Sequence, residues 1–182
     1  MARYDLPNAA PQPLRLVQRF VNTVDKEHGR EWLAEPEDLV RWFEEAGLGR
    51  VDATPGDVRR AHDLRAALKE FLAANNGAEL DDGAIATINR AASAAQLTAG
   101  LDERSQLHFD VKGGNVDSAL GRIVAIAFSA LTNGTLSRLK ACRNCSWAFY
   151  DNSRNRSAKW CSMLICGNRL KARTYRKRHR PS

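Results

Sequence analysis

Apolar residues recur at helical spacing along most of the chain. Leu14, Val17, Val21 and Val24 follow one another at three and four residues, which predicts a helix from Leu14 to Glu27. Asn22, Thr23 and Asp25 fall late in that helix, and Gly29 lies just beyond it. A second helix, Pro36 to Ala46, carries Leu39, Trp42, Phe43 and Ala46 on one side. Pro36 suits its first turn, Glu37 and Asp38 suit its positive end, and Gly47 suits its stop. Thr54 and Pro55 then open a third helix, which bears Val58, Ala61, Leu64, Leu68, Phe71 and Leu72 and ends near Asn76-Gly77. Asp81 or Asp82 caps a fourth, through Ile85, Ile88 and Ala92. The period then changes. Leu107, Phe109 and Val111 alternate with polar neighbours, as in a half-buried strand, and segments 96–100 and 106–111 predict a hairpin. Asn115 caps a fifth helix from Val116 to Thr132, closed by Asn133-Gly134. Residues 1–12 show little periodicity and carry Pro7 and Pro11, so a flexible arm is expected there.

Composition adds that the chain folds. Of 182 residues, 43% are hydrophobic and 27% charged, a globular balance. The longest apolar run, from Ile123 to Phe128, is too short to span a bilayer and is bounded by Arg122 and Ser129. The N-terminus has no apolar leader segment, so a cytoplasmic location is expected.

Charge divides the chain in two. Between Arg138 and Arg180 stand 13 of the 28 Lys and Arg, but only one of the 21 Asp and Glu, Asp151. That segment is +12, whereas the residues before it are −5. A near-neutral domain joined to a polyanion-binding module is the simplest reading, with the boundary near residues 134–139.

All four cysteines lie in the basic segment: Cys142, Cys145, Cys161 and Cys166. In a reducing compartment thiolate–metal coordination is expected rather than disulfides. The pattern is C-x2-C, fifteen residues, then C-x4-C. Cys142-Arg-Asn-Cys145 can form a tight knuckle aiming two sulfurs at one ion, and Trp147, Phe149 and Tyr150 suit a short hairpin after it. With Cys161 in a turn and Cys166 in the first turn of a basic helix, all four sulfurs can meet. Four thiolates suit one tetrahedral Zn2+ and leave no open position, so the ion is structural. An iron–sulfur cluster also accepts four thiolates. The expected fold is thus mainly α with a small β-hairpin (α+β): a helical N-terminal domain, 13–136, plus a C-terminal treble-clef-like four-cysteine zinc module with a basic helix, 137–182.

The cations around the cysteines are candidate DNA contacts. Arg154, Arg156 and Lys159 precede the second pair, and Arg169, Lys171, Arg173, Arg176, Lys177 and Arg178 follow it. On a helix, Arg169, Arg173, Arg176 and Arg180 share a face. Phosphates would relieve their mutual repulsion and make binding strongly salt-dependent. RNA is the rival partner, with Trp147, Phe149, Tyr150 and Tyr175 available to stack on bases. A solvated tail or a zinc-stapled protein-interaction module are the alternatives without nucleic acid.

No enzyme is expected. His28, His62, His108 and His179 have no partner at ligand spacing, and no nucleophile-elbow, P-loop or dinucleotide motif occurs. Asn22, Thr23 and Asp25, with Arg65 on the third helix, either line a small-molecule site or tie helices together.

The run Cys161-Ser-Met-Leu-Ile-Cys166-Gly167-Asn168-Arg169 resembles the CGNR zinc-finger family, named for its Cys-Gly-Asn-Arg tetrad. The stretch from Cys142 through Trp147, Phe149, Asp151 and Arg156 to Trp160 is similar to the same finger along its length. Val21-Asn-Thr-Val-Asp25 and Trp42 resemble the ABATE domain that accompanies it. The resemblance implies a stress-linked bacterial transcription regulator with an N-terminal small-molecule sensor and a DNA-binding finger, a homodimer being possible. It places the zinc on Cys142, Cys145, Cys161 and Cys166.

Overall fold

The computed structural model describes residues 8–178, apart from the side chains of Thr174, Tyr175, Lys177 and Arg178. His179 and Arg180 lie outside the described residues, as do the side chains of Tyr175, Lys177 and Arg178, so the roles expected of them fall beyond the description.

Six helices and three two-stranded antiparallel sheets make up the described chain. The first helix is shorter than its periodicity suggests: α1 spans Arg15–Val21. Val24–Asp25 forms β1 instead, paired with β2, Arg30–Glu31. Local chemistry explains the early stop. The Thr23 hydroxyl donates to the Phe20 carbonyl at 2.7 Å, and the Asn22 side chain engages a distant strand. The Thr23 hydroxyl competes for a ladder carbonyl, as short polar side chains do, and the Asn22 side chain is held by the strand it engages.

The remaining helices follow the sequence signals. α2 spans Pro36–Glu45, and α3 spans Pro55–Ala74. Thr54 and Asp57 form a reciprocal capping box at the start of α3, which satisfies two of its orphan donors. α4, Asp82–Ala94, is capped by Asp81, and α5, Val116–Thr132, by Asn115. Between them β3, Thr98–Leu101, pairs with β4, Leu107–Asp110.

α3 packs against α1, α2, α4 and α5 around Phe20, Phe43, Leu64, Leu72 and Ile123, each at most 1% exposed. Gly121 of α5 permits a close approach: a Cβ there would lie 2.2 Å from the Ala95 Cβ.

The core does not stop at the end of α5. A 3-10 turn, Leu136–Arg138, leads into β5, Leu139–Ala141, which pairs with β6, Ala148–Tyr150. Leu136, Leu139, Ala141 and Ala148 are buried in the same cluster as the helical residues. The C-terminal module is therefore docked, with no free linker between residues 134 and 139. It continues through a single π-turn, Met163–Gly167, into α6, Asn168–Arg178.

Four asparagines fasten the dock. The Asn22 side chain donates to the Ala148 carbonyl at 2.9 Å and accepts from its N–H at 2.8 Å. Asn75 donates to the carbonyls of Leu136 and Leu139, both at 2.9 Å. Asn76 donates to the carbonyls of Ala141 and Lys159 at 2.8 and 3.0 Å. The Asn8 side chain donates to the Cys161 carbonyl at 2.9 Å, and its backbone carbonyl accepts from the Tyr150 N–H at 2.9 Å. Asn8 belongs to the segment expected as a flexible arm; the C-terminal module holds this end of it.

Candidate metal centre and the basic surface around it

The first cysteine pair sits where β5 turns into β6. The Cys142 N–H donates to the Trp147 carbonyl and the Ser146 N–H to the Cys142 carbonyl, both at 2.9 Å. Ser146 takes a left-handed φ of +61°, which closes the knuckle. Of the second pair, Cys161 precedes the π-turn and Cys166 lies within it. The Ser162 hydroxyl caps that turn by accepting from the Ile165 N–H, and the Cys166 N–H donates to the Ser162 carbonyl at 2.9 Å. Cys166 thus stands in the turn before α6, one turn earlier than the spacing suggests. Gly167 allows tight closure, since a Cβ there would meet the Met163 sulfur at 2.9 Å.

The four Sγ atoms converge. All lie within 4.8 Å of one another, with Cys145–Cys161, Cys161–Cys166 and Cys166–Cys145 each at 3.6 Å. A disulfide requires about 2.05 Å. Four ligands at about 2.3 Å around a tetrahedral ion stand roughly 3.8 Å apart. The spacing therefore fits a metal and not a bridge.

The thiols compete for negative charge. Hydrogen bonds from Cys145 and Cys161 pull Cys142 far down. Its demand for their protons then pushes Cys145 up to about 12 and Cys161 further still. The centre is a structural zinc site, held by Cys142, Cys145, Cys161 and Cys166 with no position left for substrate.

Asp151 organises the loop between the cysteine pairs. Its carboxylate, on a residue 1% exposed, accepts from the Lys140 ammonium at 2.7 Å, the Ser153 hydroxyl at 2.6 Å and the Ala158 N–H at 3.0 Å. Lys140 also donates to the Arg156 carbonyl at 2.6 Å. Burial raises the Asp151 pKa, but Lys140 and Ser153 outweigh it and hold the carboxyl at about 2. In the sequence Asp151 stands out only as the lone acid of a basic segment. That isolation is the available signal, because a single carboxylate among 13 cations has a partner close by.

Lys69 of α3 carries no sequence signal of its place here. It is 9% exposed and lines a cleft with Ala141 and Ser146 beside the knuckle. Burial, Lys26 and Arg65 pull its ammonium down to about 8, while Cys145 pulls the other way.

Around this centre Arg154, Arg156, Lys159, Arg169, Lys171, Arg173 and Arg176 are all exposed. Arg154, Arg156 and Lys159 stand on the Asp151-held loop, and the others on α6. Within the tetrad Asn168 donates to the Leu164 carbonyl at 3.2 Å. Arg169 pairs with Glu27 in the turn between β1 and β2, so it links α6 to the N-terminal domain.

Of the two roles open to Asn22, Thr23, Asp25 and Arg65, small-molecule site or structural tie, their hydrogen bonds within the chain fill the second. Asn22 and Thr23 are 0% exposed. Asn22 holds β6, and the Arg65 guanidinium bridges the Thr23 hydroxyl at 3.0 Å to the Glu31 carboxylate at 2.6 and 2.7 Å. Asp25 accepts from the Glu27 and His28 N–H groups and contacts the His28 ring at 2.7 Å. With α1 ending at Val21 and Val24–Asp25 in a strand, Asp25 serves the β1–β2 turn, while Thr23 meets Arg65 of α3.

Two family models match. Residues 14–134 match ABATE, whose description reads "Putative stress-induced transcription regulator", and residues 138–179 match the CGNR zinc finger. No curated protein matches the chain.

Proposed function

This chain belongs to the ABATE family and ends in a CGNR zinc finger, and from that footing we propose that it is a DNA-binding, one-component transcription regulator. The zinc finger is the DNA-binding module, and the helical domain senses a small molecule. The observation that carries the reading is the run of exposed cations on the zinc-held loop and α6, against a single acid that is buried and paired. Phosphates complement that surface, and arginines on it can read guanine edges. No helix among the described residues is long and apolar enough to cross a membrane. The reading assigns the chain no reaction and places it on the nucleoid.

RNA is less well served by the aromatics. Phe149 is 0% exposed, and Trp147 packs edge-on against Trp32 with centroids 6.4 Å apart. Phe149 offers no face to a base, and Trp147 is half-buried.

Genome-wide occupancy of the intact protein, compared with Cys142→Ser, tests the reading. Discrete promoter-proximal peaks that vanish in the variant are expected. Uniform background in both, or recovery of bulk RNA instead, overturns it.

A further inference from the structure

The helical domain holds a cavity of about 410 Å3 between α3, α4, α5 and β4. Its volume falls in the lower part of the ~300–1,000 Å3 range of small-molecule pockets. Its wall is apolar, with three aromatic rings: Phe71, Phe109 and Phe128, the last two edge-to-face at 5.7 Å. No charged side chain lines it. Two polar residues do, and the Thr132 hydroxyl already donates to the Ser129 carbonyl at 2.9 Å. Exposed Asn89 is left as a single polar handle at the edge.

The cavity has a mouth and a floor. Ile85 and Leu131, 41% and 52% exposed, stand at the mouth, whereas Leu68, Leu72 and Leu136 at the floor are 3%, 1% and 4% exposed. A concave site that reaches the core in this way suits a small molecule better than a second protein surface. An uncharged wall offers nothing to a nucleic acid or an ion, since a buried charge here would find no partner. Burying an apolar molecule against exposed Ile85 and Leu131 is favourable in itself.

The floor also touches the joint between the domains. Leu136 opens the 3-10 turn that leads into β5, and Asn75, one turn beyond Phe71 and Leu72 on α3, donates to the Leu136 and Leu139 carbonyls. An occupant that shifts Phe71, Leu72 or Leu136 shifts the hydrogen bonds that seat the finger.

We propose that this cavity is the effector site and takes a compact, uncharged, apolar small molecule, with occupancy transmitted to the finger through Leu136 and Asn75. The role as effector site rests on the regulatory reading above; binding in the cavity does not.

The test titrates the full-length, zinc-loaded chain with the neutral fluorophore N-phenyl-1-naphthylamine. Saturable enhancement at one site per chain is expected, with slowed amide exchange over residues 136–141. Leu131→Trp and Ile85→Trp fill the mouth from exposed positions and should each weaken binding at least tenfold. Leu164→Ala removes an 84% exposed side chain of the finger and should leave binding unchanged. Binding unaffected by both Trp variants, binding equally lost in Leu164→Ala, or a dimer that excludes the probe through this face each overturn the proposal. These readouts involve no DNA, so failure of the regulatory reading and failure of the site are told apart.

Discussion

Asp151 and Asn22 show how single side chains hold the finger. Asp151→Asn leaves the Lys140 ammonium buried beside a neutral amide, and losing one partner of a buried pair costs about 3 kcal/mol or more. Chemical denaturation of the zinc-loaded protein should show this loss, and Lys140→Met in the same chain should recover part of it. The pH dependence has a definite sign. The folded carboxyl, at about 2, lies below its ordinary value of 3.8, so it contributes stability above pH ~4. That contribution, about 2 kcal/mol, fades as pH falls from ~4 to ~2 and is absent in Asp151→Asn. Asn22→Ala orphans the buried Ala148 N–H and should cost ~2 kcal/mol, with no change in zinc content. Unchanged stability would mean that the dock does not depend on this side chain. The four cysteines are legible in the sequence because residue type and spacing suffice to name a zinc ligand set. The role of Asn22 is not, since a polar residue on an apolar face looks alike whether its partner is a ligand or a strand 126 residues away.

Among the elements, those carrying their own caps are the most legible. α3 and α5 start and stop where Thr54, Asn115 and Asn133-Gly134 dictate, because capping is settled within about four residues. α1 is overrun by its periodicity, since Val24 keeps the helical period while the Thr23 hydroxyl bonds back to Phe20 and the Asn22 side chain reaches Ala148. β1, β2 and β5 have two or three residues each, too few for any alternation to appear. The π-turn before α6 depends on two metal ligands, Cys161 just before it and Cys166 within it. Removing zinc with a chelator should therefore raise amide exchange through residues 142–178 to near-unprotected values and leave α3 and α5 protected. Equal loss of protection in α3 would show that metal and core unfold as one unit. Persistence of α6 protection would show that zinc does not hold it.

At the scale of the molecule, charge and composition suggest two modules in series, and the structure joins them into one core. The charge boundary near residues 134–139 is real in composition, yet Leu136, Leu139, Ala141 and Ala148 bury across it. Burial between distant segments leaves no periodic trace within either, which is why the dock is invisible in the sequence. Truncation after Gly134 should uncover the Asn22, Asn75 and Asn76 side chains and the apolar patch beneath β5 and β6. Lower thermal stability and aggregation of the fragment are expected; a fragment as stable as the whole chain would contradict the shared core. The docked finger pairs Arg169 with Glu27 and leaves other cations of its loop and α6 exposed. Six of them, Arg154, Arg156, Lys159, Lys171, Arg173 and Arg176, face solvent without an ion-pair partner among the described residues. Neutralising six phosphates gives a slope of log affinity against log salt of about −5.

Titration of the zinc-loaded chain with DNA from a promoter it occupies, between about 50 and 200 mM salt and with bulk RNA as competitor, tests zinc-dependent DNA binding most directly. Binding preferred over RNA is expected, with a slope of about −5 that falls by about one in Arg173→Ala, and with loss of binding in Cys142→Ser. Equal affinity of Cys142→Ser and the intact chain for that DNA, or no DNA binding at about 50 mM salt, would contradict it.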